Sequence, residues 1–220
     1  MIEGDRMMDR RWGQTGHRGI WGLVVVLCAI VLSVVWGAGA ALAGPPTDSM
    51  KGTIDEVLRI VRDKELKQPA KTDERRALLE KVVAERFDYQ EMSRRALGAP
   101  WNQLSDKEKQ EFVSLFQTLL TSSYAEKVES YSGEGVQYLN ERTEKDYAEV
   151  RTKILSGKTE IPLDYRLINR GTDWRVYDVV VDGVSLVNNY RGQFTKILRA
   201  SSNPDLVDQL RKKSDKLKSP

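Results

Sequence analysis

Two pairs of neighbours, Asp164-Tyr165 and Tyr177-Asp178, combine the residue types of a histidine-free acid–base site. In such a site a carboxylate moves the proton and a phenol donates a hydrogen bond to developing charge. Little else in the chain is equipped for reaction chemistry. The one histidine and the one cysteine are His17 and Cys28, both within the first 43 residues. From residue 44 onward this excludes Ser-His-Asp and Cys-His nucleophile systems, and zinc or copper would lack its usual nitrogen and sulfur ligands. A D-x-D-x-D-G calcium loop is also missing from the sequence. The tyrosine–aspartate option meets a geometric objection, since neighbours on a strand point to opposite faces and neither pair converges on one substrate. Asp178 therefore reads as a structural acid, paired with a basic side chain or with backbone donors. The expectation is a protein that is not an enzyme, with no catalytic residue, metal ligand or cofactor.

The elements that would position these residues begin after a leader. Arg6, Arg10, Arg11 and Arg18 form a positive stretch, residues 20–40 are an apolar run, and Ala41-Leu42-Ala43 has the small-x-small pattern of a signal-peptidase site. Residues 1–43 read as a signal peptide cut before Gly44, leaving residues 44–220 as one exported domain without cysteine, held together by packing alone. A retained membrane anchor is the competing reading, because the apolar run is nearly long enough to span a bilayer. The 35 basic and 32 acidic side chains give a net charge of +3, too small to point to nucleic acid.

Along the domain the apolar period changes twice. Thr53 with Glu56 makes a capping box for a first short helix carrying Ile54, Val57, Leu58 and Val61 on one face, and Thr72 opens a second helix after a polar linker. Asp88 with Glu91 begins a third helix that ends near Gly98. Ser105 with Glu108 begins a long fourth one, with Phe112, Phe116, Leu119, Tyr124, Val128 and Tyr131 at helical spacing up to Gly133. Residues 134–142, 146–155, 160–170 and 173–183 then alternate as strands with short connections, which implies an antiparallel meander with one dry and one wet face. Strand 174–181 is apolar on both sides, with Trp174, Val176 and Val180 alternating against Tyr177, Val179 and Val181. After Gly183 a helix carries Leu186, Val187, Tyr190 and Phe194. A last helix is announced by Asn203 as N-cap and Pro204, and ends in a basic tail of Arg211, Lys212, Lys213, Lys216 and Lys218. The order of elements gives an α+β class, with several helices packed on a curved four-stranded antiparallel sheet that rests on the long helix and encloses an apolar cavity.

The stretches 101–134 and 161–194 together resemble the toluene-tolerance (MlaC) family of periplasmic phospholipid-binding proteins. The features that carry the likeness are Trp101, Tyr124-Ala125, Tyr131-Ser132-Gly133, Tyr165-Arg166, Trp174, Tyr177-Asp178, Gly183-Val184-Ser185 and Tyr190-Arg191, spread in order over roughly residues 57–210. The resemblance implies an NTF2- or cystatin-like domain that holds phospholipid acyl chains between helix and sheet, as a monomer. It would carry the lipid across the periplasm between an outer-membrane lipoprotein complex and an inner-membrane ABC transporter with an MCE-domain ring, the lipid being cargo and not cofactor. A hopanoid-linked branch of the same family and a lipid-acting enzyme using Asp and Tyr are the alternatives. The alternation nominates Phe116, Leu119, Tyr124 and Val128 from the long helix, Val150, Ile154, Leu163 and Tyr165 from the central strands, and Val176, Val184, Leu186 and Tyr190 as the lipid lining.

Overall fold

The computed structural model describes residues 44–129, 131, 135–157 and 159–218; the expected leader, residues 1–43 with His17 and Cys28, and the expected helix stop at Gly133 lie outside the described residues. Helix α1 spans Pro45–Arg62 and so starts well before the Thr53–Glu56 pair. Two prolines at its first positions remove N–H groups that would otherwise lack acceptors. Met50, Ile54, Leu58 and Val61 then form one continuous buried stripe, while Thr53 sits inside the helix and donates to the Ser49 carbonyl at 3.1 Å. A 3₁₀ turn at Pro69–Lys71 leads into α2, Thr72–Arg86. Helix α3, Tyr89–Leu97, is capped by Asp88, which accepts from Glu91 N, and stops at Gly98, whose φ of 71° favours glycine. Helix α4, Asp106–Glu129, opens on the reciprocal box, with Glu108 N donating to Ser105 Oγ and Ser105 N donating to the Glu108 carboxylate.

The strands are β1 Gly135–Glu144, β2 Tyr147–Ser156, β3 Thr159–Asn169, β4 Trp174–Val181 and β5 Val184–Ser185. They form one antiparallel sheet in sequence order. The expected four strands are thus five, because the chain turns at Gly183 and pairs Val184 with Val181 and Ser185 with Val180 before α5, Leu186–Leu198. Helix α6, Asn203–Lys218, is capped one residue earlier than expected, by Ser202, whose hydroxyl accepts from Asp205 N.

Two bulges reset which side chains share a face. In β1 the register slips between Tyr138 and Asn140, so that Tyr138 opposes Thr152 while Glu141 opposes Val150. In β4 the slip lies at Tyr177, so that Val176 opposes Leu167 but Val179 opposes Tyr165 and Val181 opposes Leu163. An extra residue reverses the phase of everything after it. Val176, Val179 and Val181 therefore share the inner face with Tyr165 and Leu163, and the grouping of Val176 with Val180 from simple alternation is corrected.

The helices that cover the inner face are α1, against β1, β2 and β4, and α2, against β4; α4 packs on α3 and α6 instead. The expectation that the sheet rests on the long helix is corrected accordingly. The physical reason is the aromatic stripe of α4, whose best partners are rings on α5. Phe116 meets Tyr190 at 5.1 Å and Phe194 at 5.5 Å, and Phe112 meets Phe194 at 5.6 Å, all edge to face. The outcome is two apolar clusters, one among α3 to α6 and one between the sheet and α1/α2. They meet along β4, where Phe87 bridges to Val176 and Asp88 N donates to the Val176 carbonyl at 2.8 Å. Arg86 pins the same junction by donating to Asp173, to the Trp174 carbonyl and to Thr53.

Candidate functional site

Across β2, β3 and β4 the inner face of the sheet is largely apolar, fully buried at one end and partly buried at the other. Across β2, β3 and β4 the row Ala148, Leu167, Val176 is buried beneath α1 and α2, with Val150 and Val179 beside it. Toward the other end lie the rows Val136, Ile154, Ile161 and Tyr138, Thr152, Leu163, Val181. All of these except Thr152 are half-buried, and the polar Thr152 is satisfied by donating to the Leu163 carbonyl at 2.5 Å. Val128 and Tyr131, where α4 runs out, and Leu186, where α5 begins, pack half-buried on the same cluster. The Tyr131 hydroxyl clamps this corner, donating to the Gly135 carbonyl and accepting from Gly135 N. Branched and aromatic side chains on a pleated surface, partly exposed over several rows, thus extend the apolar face beyond its fully buried core.

Two phenols mark it. Burial pushes the Tyr138 hydroxyl up to about 12, with Asp55 adding to the effect, and holds that of Tyr165 far above the ordinary phenol range, with Tyr138 adding. Both stay protonated at any physiological pH and act as donors, never as bases. The Tyr138 hydroxyl is buried without a hydrogen-bond partner, and the Lys51 ammonium sits 5.4 Å from the centre of its ring.

The nominated lining residues divide between the two clusters. Val128, Val150, Leu163, Tyr165, Val176 and Leu186 lie in the sheet cluster, and Ile154 joins the open row beside it. Phe116, Leu119, Tyr124 and Tyr190 lie in the helical cluster, where the rings fill one another's edges. Val184 is 58% exposed on β5 and belongs to neither. Missed by sequence reading were Val136, Tyr138, Ile161, Val179 and Val181. The alternation held their signal, but the two bulges decide its phase.

Asp164 and Asp178 do not enter this face. Asp178 points the other way, and its oxygens accept from Val187 N at 3.1 Å, from Ser185 Oγ at 2.6 Å and from Arg166 Nη1 at 3.1 Å. Its work is to anchor the first turn of α5 and the segment after Gly183. With three donors on it, the carboxylate has little capacity left to act as a base. Beside it a recess of about 240 Å³ is lined by Arg95, Arg166, Tyr177, Asn188 and Arg191, with the Arg95 guanidinium stacked 4.0 Å above the Tyr177 ring. A second pocket, of about 340 Å³, lies between α1 and α2 and is lined by Asp48, Glu56, Glu85 and Arg86. Both are charged. Neither is lined by the apolar rows of the inner sheet face.

Among the described residues no cluster of His, Cys, Asp and Glu has the arrangement to hold a metal ion, and no helix is long and apolar enough to cross a membrane. The basic tail is partly absorbed by the fold, since Arg211 pairs with Asp208 and with Glu111 of α4.

Known proteins match over this same region. The family model of the MlaC protein matches residues 51–212, which include the whole sheet and most of its helical cover. The chain belongs to the MlaC family. Among curated MlaC-like proteins, the intermembrane phospholipid transport system binding protein MlaC of Haemophilus influenzae is 23% identical over 122 residues, 53% of this chain and 57% of that protein. The toluene tolerance protein ttg2D of Pseudomonas putida is 23% identical over 185 residues, 83% of each. The MlaC-type fold is matched by the structure of a phospholipid-binding protein from Ralstonia solanacearum in complex with a phospholipid, with a TM-score of 0.71 at 24% identity, covering 80% of this chain and 100% of that one.

Proposed function

We propose that this chain is an exported phospholipid carrier that holds acyl chains against the open end of the inner sheet face and shuttles lipid across the periplasm. Its partners would be an outer-membrane lipoprotein complex and an inner-membrane ABC transporter with an MCE-domain ring. The observation that carries this reading is the half-buried apolar patch of Val136, Tyr138, Ile154, Ile161, Leu163 and Val181, continuous in register with a fully buried core. Two of the three relatives named above are described as phospholipid-transport and phospholipid-binding proteins, which supports the same class of cargo.

The energetics favour such a face. Moving an acyl chain into water costs about 0.8 kcal/mol per CH₂, so a lipid with roughly thirty such groups faces on the order of 20 kcal/mol. A soluble carrier must replace nearly all of that contact. The rows from Val136 to Val181 would do so by offering side chains without charge, while the phenols of Tyr138 and Tyr165 supply donors for an ester or phosphate oxygen. Nothing in the lining is suited to hydrolysis, since Asp178 and Asp164 lie on the opposite face. This supports transport over catalysis.

Lipid extraction and native mass spectrometry of freshly purified protein test the reading. An intact diacyl phospholipid is expected at near one equivalent. Release of a cleaved or rearranged lipid would favour the enzyme, and protein that carries no lipid would overturn the carrier.

A further inference from the structure

Glu141 is an acid in a place that calls for apolar residues. The bulge in β1 turns it to the inner face opposite Val150, at the rim of the sheet cluster. Its partners come from far away in sequence. One carboxylate oxygen accepts from Gly44 N at 3.2 Å, Thr47 N at 2.9 Å and Thr47 Oγ1 at 2.5 Å, and the other from Thr143 Oγ1 at 3.4 Å. Gly44 is the N-cap of α1 and has no side-chain cap of its own, so a strand residue caps the helix in trans. The approach is so close that a Cβ on residue 44 would run into the Glu141 carboxylate. Residue 44 is also the first one after Ala41-Leu42-Ala43. The helix cap, the side-chain-free approach and the cleavage pattern thus coincide at one nitrogen.

We propose that hydrolysis of the Ala43–Gly44 bond delivers a new α-ammonium group directly onto Glu141, so that removal of the leader strengthens the seating of α1 on the sheet. Water adds across the amide, Ala43 leaves as a carboxylate with the leader, and the Gly44 nitrogen becomes an ammonium. Before the cut that nitrogen is a neutral donor to Glu141. Afterwards the same contact is an ion pair, and a charge-assisted hydrogen bond is roughly twice as strong as a neutral one. A positive charge at the start of a helix is otherwise unfavourable, because it meets the positive end of the helix dipole. Glu141 cancels that cost. The charged groups nearest in sequence on the same element are Asp48 in the first turn of α1 and Lys51, which lies over Tyr138; Asp55, Glu56, Arg59 and Arg62 follow in its later turns. Since α1 covers the inner faces of β1, β2 and β4, the clasp fastens one wall of the lipid-facing surface more firmly in the processed chain.

The proposal rests on the export reading above, and its test separates the two. The full chain is expressed with its leader, recovered after export, and its N-terminus defined by intact mass. The α-amine is then titrated by NMR in the native protein, in urea, and in Glu141→Gln. The expected result is a chain beginning at Gly44 whose α-amine pKa lies about one pH unit or more above the ordinary 7.7–8.0 when folded, and returns to that range in urea and in Glu141→Gln. Because the folded value is raised, the ion pair contributes fully below the ordinary pKa and is lost as pH rises through the raised one. An exported chain that begins elsewhere, or one beginning at Gly44 with an ordinary native α-amine, overturns the clasp; intact lipid bound in either case leaves the carrier standing. The comparison of native with urea-unfolded wild type decides the matter even if Glu141→Gln does not fold.

Discussion

The two apolar clusters of this protein are built from similar residues and behave differently. In the helical cluster Phe112, Phe116, Tyr190 and Phe194 are buried to within a few per cent of full coverage and close their rings against one another. In the sheet cluster the core beneath α1 and α2 is equally buried, yet the same face continues through Leu163, Tyr138, Ile154 and Val181, which stay half open to water. A filled cluster has satisfied its own contacts and serves as scaffold. An unfinished one still has apolar area to bury, worth about 25 cal/mol for each Å² removed from water, and that remainder is what a lipid tail would use.

Substitutions separate the two regions. Phe116→Ala should remove about 3–5 kcal/mol of stability, read by urea unfolding, while the molecules that remain folded keep their lipid. An equal loss of lipid per folded molecule would place the helical cluster in the lining after all. Asp178→Ala comes next, at about 2 kcal/mol, because it leaves Val187 N and the Arg166 guanidinium without their acceptor next to a buried wall. Half-exposed Arg166 can turn to solvent, which limits the cost. Leu163→Asp at the open end is expected to change stability by no more than about 1 kcal/mol and to strip most of the co-purified lipid. Stability falling as far as in Phe116→Ala, with lipid retained, would show Leu163 to be ordinary core.

The smallest effect concerns pH. Burial pushes the Glu91 carboxyl up, but hydrogen bonds from Arg94 and Arg95 outweigh it and leave the group below the ordinary glutamate range. A lowered folded pKa means that its contribution is present above the unfolded value of about 4.3 and lost as pH falls through the folded one. Glu91→Gln should therefore flatten the acid side of the stability–pH curve, measured by thermal unfolding between about pH 5 and 3. An unchanged slope would assign acid sensitivity to another pair, such as Glu149 with Arg151.

Local signals were legible where they are satisfied locally. The caps at Asp88 and Ser105, the stop at Gly98 and the strand boundaries follow from side chains within a few residues of the backbone groups they serve. The start of α1 was hidden, because its cap is Glu141 and comes from a distant strand. The inner sheet face was half legible: Val150, Leu163, Tyr165 and Val176 were placed on it by alternation, whereas Val179 and Val181 were assigned to the wrong group because the bulge at Tyr177 leaves no unambiguous mark in composition.

By itself, then, the order of residues determined that this chain is α+β, that its sheet has a dry and a wet face, and that histidine and cysteine chemistry is absent after residue 43. Period, capping and residue type act over a few positions, and these carry such facts. Only the tertiary structure decided that α1 and α2, and not the long helix, lie over the sheet, and that burial falls from complete to partial along it. That choice depends on which distant surfaces fit: the rings of α4 pack best on those of α5, and the open end of the sheet is what remains when they have done so.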